Sequence, residues 1–132
     1  MRMALEFFGI KKSEKQIAKL LNTNKVRGTW HKDFPLVAER FCLSYVDLRN
    51  ATIRDLKTYH KKGFVIILCY FFPEKKFDHY SVLKKINERY VYFWDPLFGK
   101  NHKYPIKHFK KIWRSDPKYE NEKHWFFAVK KE

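Results

Sequence analysis

His79 and Asp95 stand at the outer ends of a segment, Phe77 to Pro96, whose residue types suit a β-hairpin. Two runs rich in aromatic and β-branched residues flank a polar break at Asn87-Glu88, the pattern of two strands and a turn. Antiparallel pairing would fold the two ends back together and make His79 and Asp95 neighbours. An imidazole oriented by a carboxylate is the base half of a nucleophile–base–orienter arrangement. Side chains alternate faces along a strand, so the pair shares a face only if the loop holds an odd number of residues. A loop of three or five residues around Asn87 is therefore expected. The alternative is a strand-end histidine facing solvent and an aspartate capping the turn before Pro96.

Other reactive side chains carry weaker signals. Cys42 and Cys69 lie in apolar surroundings without CxxC spacing, which gives neither a disulfide framework nor a zinc signature and fits a reducing, cytoplasmic setting. Both read as core thiols. Gly28-Thr29-Trp30-His31 follows a loop at a helix start, where Trp30 and His31 could line a substrate groove or simply pack. The six histidines include no i, i+4 pair with a carboxylate, so no metal is expected, and no cofactor motif occurs. Net charge is +15, from 29 Lys+Arg against 14 Asp+Glu. That attracts polyanions, yet the lysines fall in scattered doublets and outnumber the arginines that read bases, so only weak polyanion binding is expected.

The elements that must position these residues can be read in order. Met1 to Phe8 is a helix stopped by Gly9, with Ala4, Leu5 and Phe8 on one side. Ser13 and Gln16 form a capping box for a second helix burying Ile17, Leu20 and Leu21. After a polar loop, Thr29 can cap a third helix with Phe34, Val37, Ala38 and Phe41 inward. Tyr45 to Leu48 is a short strand, and Thr52 opens a fourth helix that carries Ile53, Leu56 and His60 inward and ends at Gly63. The apolar run Phe64 to Phe72 is a central strand buried on both faces. The hairpin follows, then a Pro-Leu-Phe-Gly loop, a helix from Pro105 burying Ile106, Phe109, Ile112 and Trp113, and a last strand from Trp125 to Val129. Helices first and antiparallel strands later give an α+β class, one domain over residues 1–132, with helices on one side of a sheet. No apolar run is long enough to span a membrane.

Taken together, Phe-Phe-Gly-Ile, Ser-Glu-Lys-Gln-Ile-Ala-Lys-Leu-Leu, Asn-Ala-Thr-Ile-Arg-Asp-Leu-Lys, His-Tyr-Ser-Val-Leu and Tyr-Val-Tyr-Phe-Trp-Asp-Pro resemble, over nearly the whole chain, the papain-like double-glycine leader peptidases that process bacteriocin precursors. The resemblance implies a papain-like fold with N-terminal helices packed on an antiparallel sheet, and a peptide or protein substrate. It assigns His79 as general base and Asp95 as its orienter. In that family the nucleophilic cysteine opens the first helix, just after an oxyanion glutamine. Aligning Met3 to Gly9 with that helix's end places both positions before Met1. The chain is thus expected to lack the start of its first helix, to retain the His/Asp pair without a nucleophile, and to be inactive as given. The free imidazole nitrogen is expected to face a cleft beside the first helix. The alternatives are a non-catalytic peptide-binding module of the same fold and, ranked last, charge-driven nucleic-acid binding.

Overall fold

The computed structural model describes residues 2–20, 31–72, 77–95, 98–117 and 122–131. Among the described residues five α-helices and six strands follow one another: α1 (Arg2–Glu6), α2 (Glu14–Leu20), α3 (Phe34–Arg40), β1 (Ser44–Leu48), α4 (Ile53–Lys61), β2 (Val65–Phe72), β3 (Phe77–Ile86), β4 (Tyr90–Asp95), β5 (Gly99–Pro105), α5 (Ile106–Ile112) and β6 (Phe126–Lys130). The strands form one sheet in the order β1-β6-β2-β3-β4-β5, and each neighbouring pair is antiparallel.

Local chemistry sets the helix limits. Ser13 and Gln16 close the expected capping box, the Gln16 N–H donating to Ser13 Oγ and the Ser13 N–H to Gln16 Oε1. Thr52 and Asp55 do the same for α4, two first-turn N–H groups being satisfied in each case. Gly63, at φ +89°, ends the α4 segment in a left-handed conformation that a Cβ would penalise. Before α3, a short 3-10 turn covers His31–Asp33, and Pro35 sits in the first helical turn, where its missing N–H costs nothing. The proposed Thr29 cap falls outside the described residues.

The continuous apolar run of β2 is buried on both faces, as its composition requires. Ile67 and Cys69 join one core with Ala4, Leu5, Ile17, Phe34, Val37, Val82, Trp125 and Phe127. Ile66, Leu68 and Tyr70 join the other, with Leu56, Leu83, Val91, Phe93, Phe109 and Trp113. Helices therefore cover both sides: α1, α2 and α3 on the first, α4 and α5 on the second. One-sided packing was expected, and the two-sided β2 is the physical reason for the difference. A strand apolar on both faces needs a cover on each. The segment Gly99–Pro105, unassigned from sequence, forms the edge strand β5. Its Lys-Asn-His-Lys composition hides the β pattern because an edge strand has little apolar surface to bury.

Candidate active site

His79 lies near the start of β3 and Asp95 at the end of β4, at the same end of the hairpin. Their shared face comes from a different source than the turn. The pairing Ile86↔Val91 encloses four residues, and the Asn87 N–H donates to the Tyr90 carbonyl at 3.0 Å across it. The strand limits leave only Asn87, Glu88 and Arg89 between them, but the register is that of an even connection. Left uncorrected, it would set His79 and Asp95 on opposite faces. A β-bulge supplies the missing residue: the register shifts between Leu83 and Lys85, with Leu83↔Phe93 and Val82↔Trp94 beyond it. From Leu83 outward, odd-numbered residues of both strands point the same way, so His79, Ser81 and Asp95 converge on the α4/α5 side. The expectation of an odd loop is corrected in mechanism, and the shared face is realised.

The Asp95 carboxylate is enclosed by donors. His79 Nε2 lies 2.8 Å from Oδ1, within the range of a well-formed hydrogen bond. The Phe98 N–H donates to the same oxygen at 2.9 Å. On Oδ2, Ser81 Oγ donates at 2.5 Å and the Tyr70 hydroxyl makes a short contact; the two hydroxyl oxygens are 2.7 Å apart. Tyr70 reaches this point because β2 pairs Tyr70↔His79 and Leu68↔Ser81, facing it toward the same side.

Electrostatics follow from that enclosure. Burial alone would push the Asp95 carboxyl up, but hydrogen bonds from His79, Ser81, Tyr70 and Phe98 outweigh it and hold the group well below the usual carboxylate range. Burial, with the neighbouring Asp95, pushes the Tyr70 phenol far upward, so it remains a donor. An ionised carboxylate only accepts, so Nε2 carries a proton, and in the neutral imidazole Nδ1 then holds the lone pair. Among the described residues no hydrogen-bond partner meets Nδ1. The His79 side chain is 15% exposed against 0% for Asp95, and the rings of Tyr70 and Phe98 meet it edge-on at 5.6 and 5.9 Å. Behind them His102 stacks on Phe98 at 4.6 Å, and burial lowers its pKa despite the pull of Asp95.

Neither thiol approaches this imidazole. Cys69 is 1% exposed and pairs with Tyr80 in the sheet, which turns it to the opposite face from His79. It hydrogen-bonds Asp78, whose carboxyl is pushed up by burial. Cys42 is exposed and sits just beyond α3 at φ 55°. The first helix also packs on the Cys69 face, through Ala4 and Leu5, rather than beside the imidazole as expected.

Of the two residues suggested for a groove, Trp30 lies outside the described residues. His31 is 0% exposed, stacked on Trp125 at a 3.9 Å centroid distance, with Nδ1 2.8 Å from Glu122 Oε1. It occupies the packing position that was the alternative to a groove role. Burial, with the nearby Arg49 guanidinium, lowers its pKa to about 3 and keeps it neutral. Among the described residues no cluster of His, Cys, Asp and Glu could hold a metal ion.

A family model described as the Peptidase_C39 like family matches residues 1–120. The chain belongs to the Peptidase_C39 like family. Solved structures agree on the fold. A putative C39-like peptidase from Bacillus anthracis superposes with a TM-score of 0.75 at 18% identity, covering 99% of this chain and 86% of that one. The peptidase domain of Streptococcus ComA, a bi-functional ABC transporter involved in quorum sensing, gives 0.66 at 17% identity, covering 95% and 81%. No curated protein matches the chain significantly. The α+β, papain-like reading of the sequence stands on these likenesses.

Within this C39-like fold, sequence reasoning reached His79 and Asp95 but missed Tyr70, Ser81 and the Phe98 N–H. Ser81 was within reach, because it lies two residues from His79 on a strand. Tyr70 carried one signal, a phenol inside an otherwise apolar buried run, where a hydroxyl needs a partner. Only the register shows that the partner is Asp95.

Proposed function

We propose that this chain is a C39-type peptidase domain that retains a working base and orienter, His79 and Asp95, but brings no nucleophile to them and therefore does not cleave peptides by itself. Asp95 fixes the Nε2–H tautomer, leaving Nδ1 to accept a proton from a thiol or to hydrogen-bond a ligand. The observation that carries the reading is the disposition of the thiols. The sequence contains two cysteines; one is locked on the far face of β2 and the other lies at the end of α3, so neither can deliver a thiolate to Nδ1. Peptides remain the ligand class that family membership suggests, and holding an extended peptide without cutting it is compatible with this half-site. Incubating the purified chain with double-glycine leader peptides and following mass tests the proposal. Intact peptide is expected over hours, with any binding preserved in His79→Ala. Efficient cleavage that disappears in His79→Ala would overturn it.

A further inference from the structure

The hairpin has a second face. Along β4, Val91, Phe93 and Asp95 are buried while Tyr90, Tyr92 and Trp94 alternate with them and are half-buried. The helix that packs on β4 and β5, α5, lies on the other side, where Phe93 and Phe109 form the core. On this outer face Phe7 touches Trp94, at 6.4 Å between ring centroids. Three rings therefore stand in a row on one strand, roughly 6.8 Å apart.

Lysines flank the row on both sides. Lys84 Nζ lies 4.5 Å from the Trp94 ring centre, and Lys85 Nζ 4.4 Å from that of Tyr92. From β5, Lys103 Nζ lies 4.4 Å from Tyr90 and 5.7 Å from Tyr92. The register makes Lys85↔Tyr92 and Tyr92↔Lys103 direct cross-strand partners, so ring and cations form one band across three strands.

We propose that this face binds single-stranded nucleic acid, the rings taking bases and the lysines taking phosphates. Charge complementarity points to a polyanion, since the chain carries +15 and this band is built from cations. The rings select among polyanions: flat aromatic faces on a strand give stacking platforms for bases. Their spacing is about twice the 3.4 Å rise of a stacked strand, which suits separated bases and excludes an intact duplex from the same contacts. An acidic peptide would use the lysines and leave the rings without a partner of matching shape. The face is independent of His79 and Asp95, which point to the opposite side of the sheet.

Fluorescence anisotropy with labelled twelve-residue oligothymidylate and with labelled dodecaglutamate tests this, across a salt series. The oligonucleotide is expected to bind at micromolar or tighter affinity at low salt and more tightly than the peptide. Tyr90→Ala/Tyr92→Ala should weaken it at least tenfold with the salt slope unchanged. Lys85→Gln/Lys103→Gln should lower the slope by about 1.4, two phosphate contacts at 0.7 each. Amide shifts of the unmutated protein on titration should concentrate on β4 and β5, a readout independent of whether the variants fold well. Absence of binding, equal or tighter binding of the peptide, undiminished binding by the tyrosine variant, or shifts centred elsewhere would each overturn the proposal.

Discussion

At the residue scale, the site turns on one carboxylate that takes hydrogen bonds from His79, Ser81, Tyr70 and the Phe98 N–H. Hydrogen bonds that favour the charged form depress a carboxyl pKa, and here they outweigh burial. Asp95 should therefore remain ionised below the ordinary carboxylate range when its side-chain carbon is followed by NMR against pH. Replacing Tyr70 by Phe or Ser81 by Ala should shift that titration upward and cost about 1–3 kcal/mol in urea unfolding. An unchanged titration in both variants would show that neither hydroxyl holds the charge. The linkage has a definite sign. A carboxyl depressed in the folded state adds stability above its unfolded value, and that stability is lost as pH falls toward the folded one. His79 and Asp95 were legible as neighbours because antiparallel pairing brings the two ends of a hairpin together, whereas their shared face depends on the bulge between Leu83 and Lys85. Tyr70 was not, because its partner lies 25 positions away in sequence.

At the element scale, the hairpin shows how a correct conclusion can rest on the wrong device. Strict alternation breaks between Leu83 and Ile86, where Lys84 and Lys85 stand together, yet Leu83 and Ile86 both face the α4/α5 core. Two polar residues between two inward ones require a bulge, so the signal for the register shift was present in the sequence. Deleting Lys84 should restore regular alternation and leave His79 facing Asp95, with little change in thermal midpoint. Inserting one alanine after Val82 should instead send His79 and Ser81 to the other face and destabilise the fold sharply. Comparing thermal unfolding of the two variants checks this, and equal destabilisation would refute it. The turn at His31 carries a second consequence. A buried histidine with a pKa near 3 takes up its proton only on unfolding, where the ordinary value is about 6.5. Stability should therefore fall as pH drops from about 6.5 toward 3, and the loss between pH 6.5 and 4 should be smaller in His31→Gln. A parallel loss in both proteins would place the acid sensitivity elsewhere, since Glu122 lies against this ring and the Arg49 charge acts on it.

At the scale of the whole molecule, the sheet separates two sets of side chains on its faces. One carries the α1–α3 core and, further along β4, the aromatic and lysine band. The other carries the α4/α5 core and the buried carboxylate network. α2 and α4 were legible from their caps, the other helices from their apolar stripes, and β2 from its unbroken apolar run. That same run already implied cover on both sides, which a reading of element order alone did not deliver. β5 escaped because an edge strand needs no apolar alternation, and its membership rests on pairing with β4. Among the described residues no helix is long and apolar enough to cross a membrane.

The role proposed for Asp95 is to fix the proton of His79 on Nε2 and leave the Nδ1 lone pair as a base. Long-range nitrogen–proton NMR of the imidazole in its neutral form reads this directly. A protonated Nε2 and an unprotonated Nδ1 are expected in the unmutated protein, collapsing toward a mixture of the two tautomers in Asp95→Ala. A proton found on Nδ1, or a spectrum indifferent to the loss of Asp95, would contradict it.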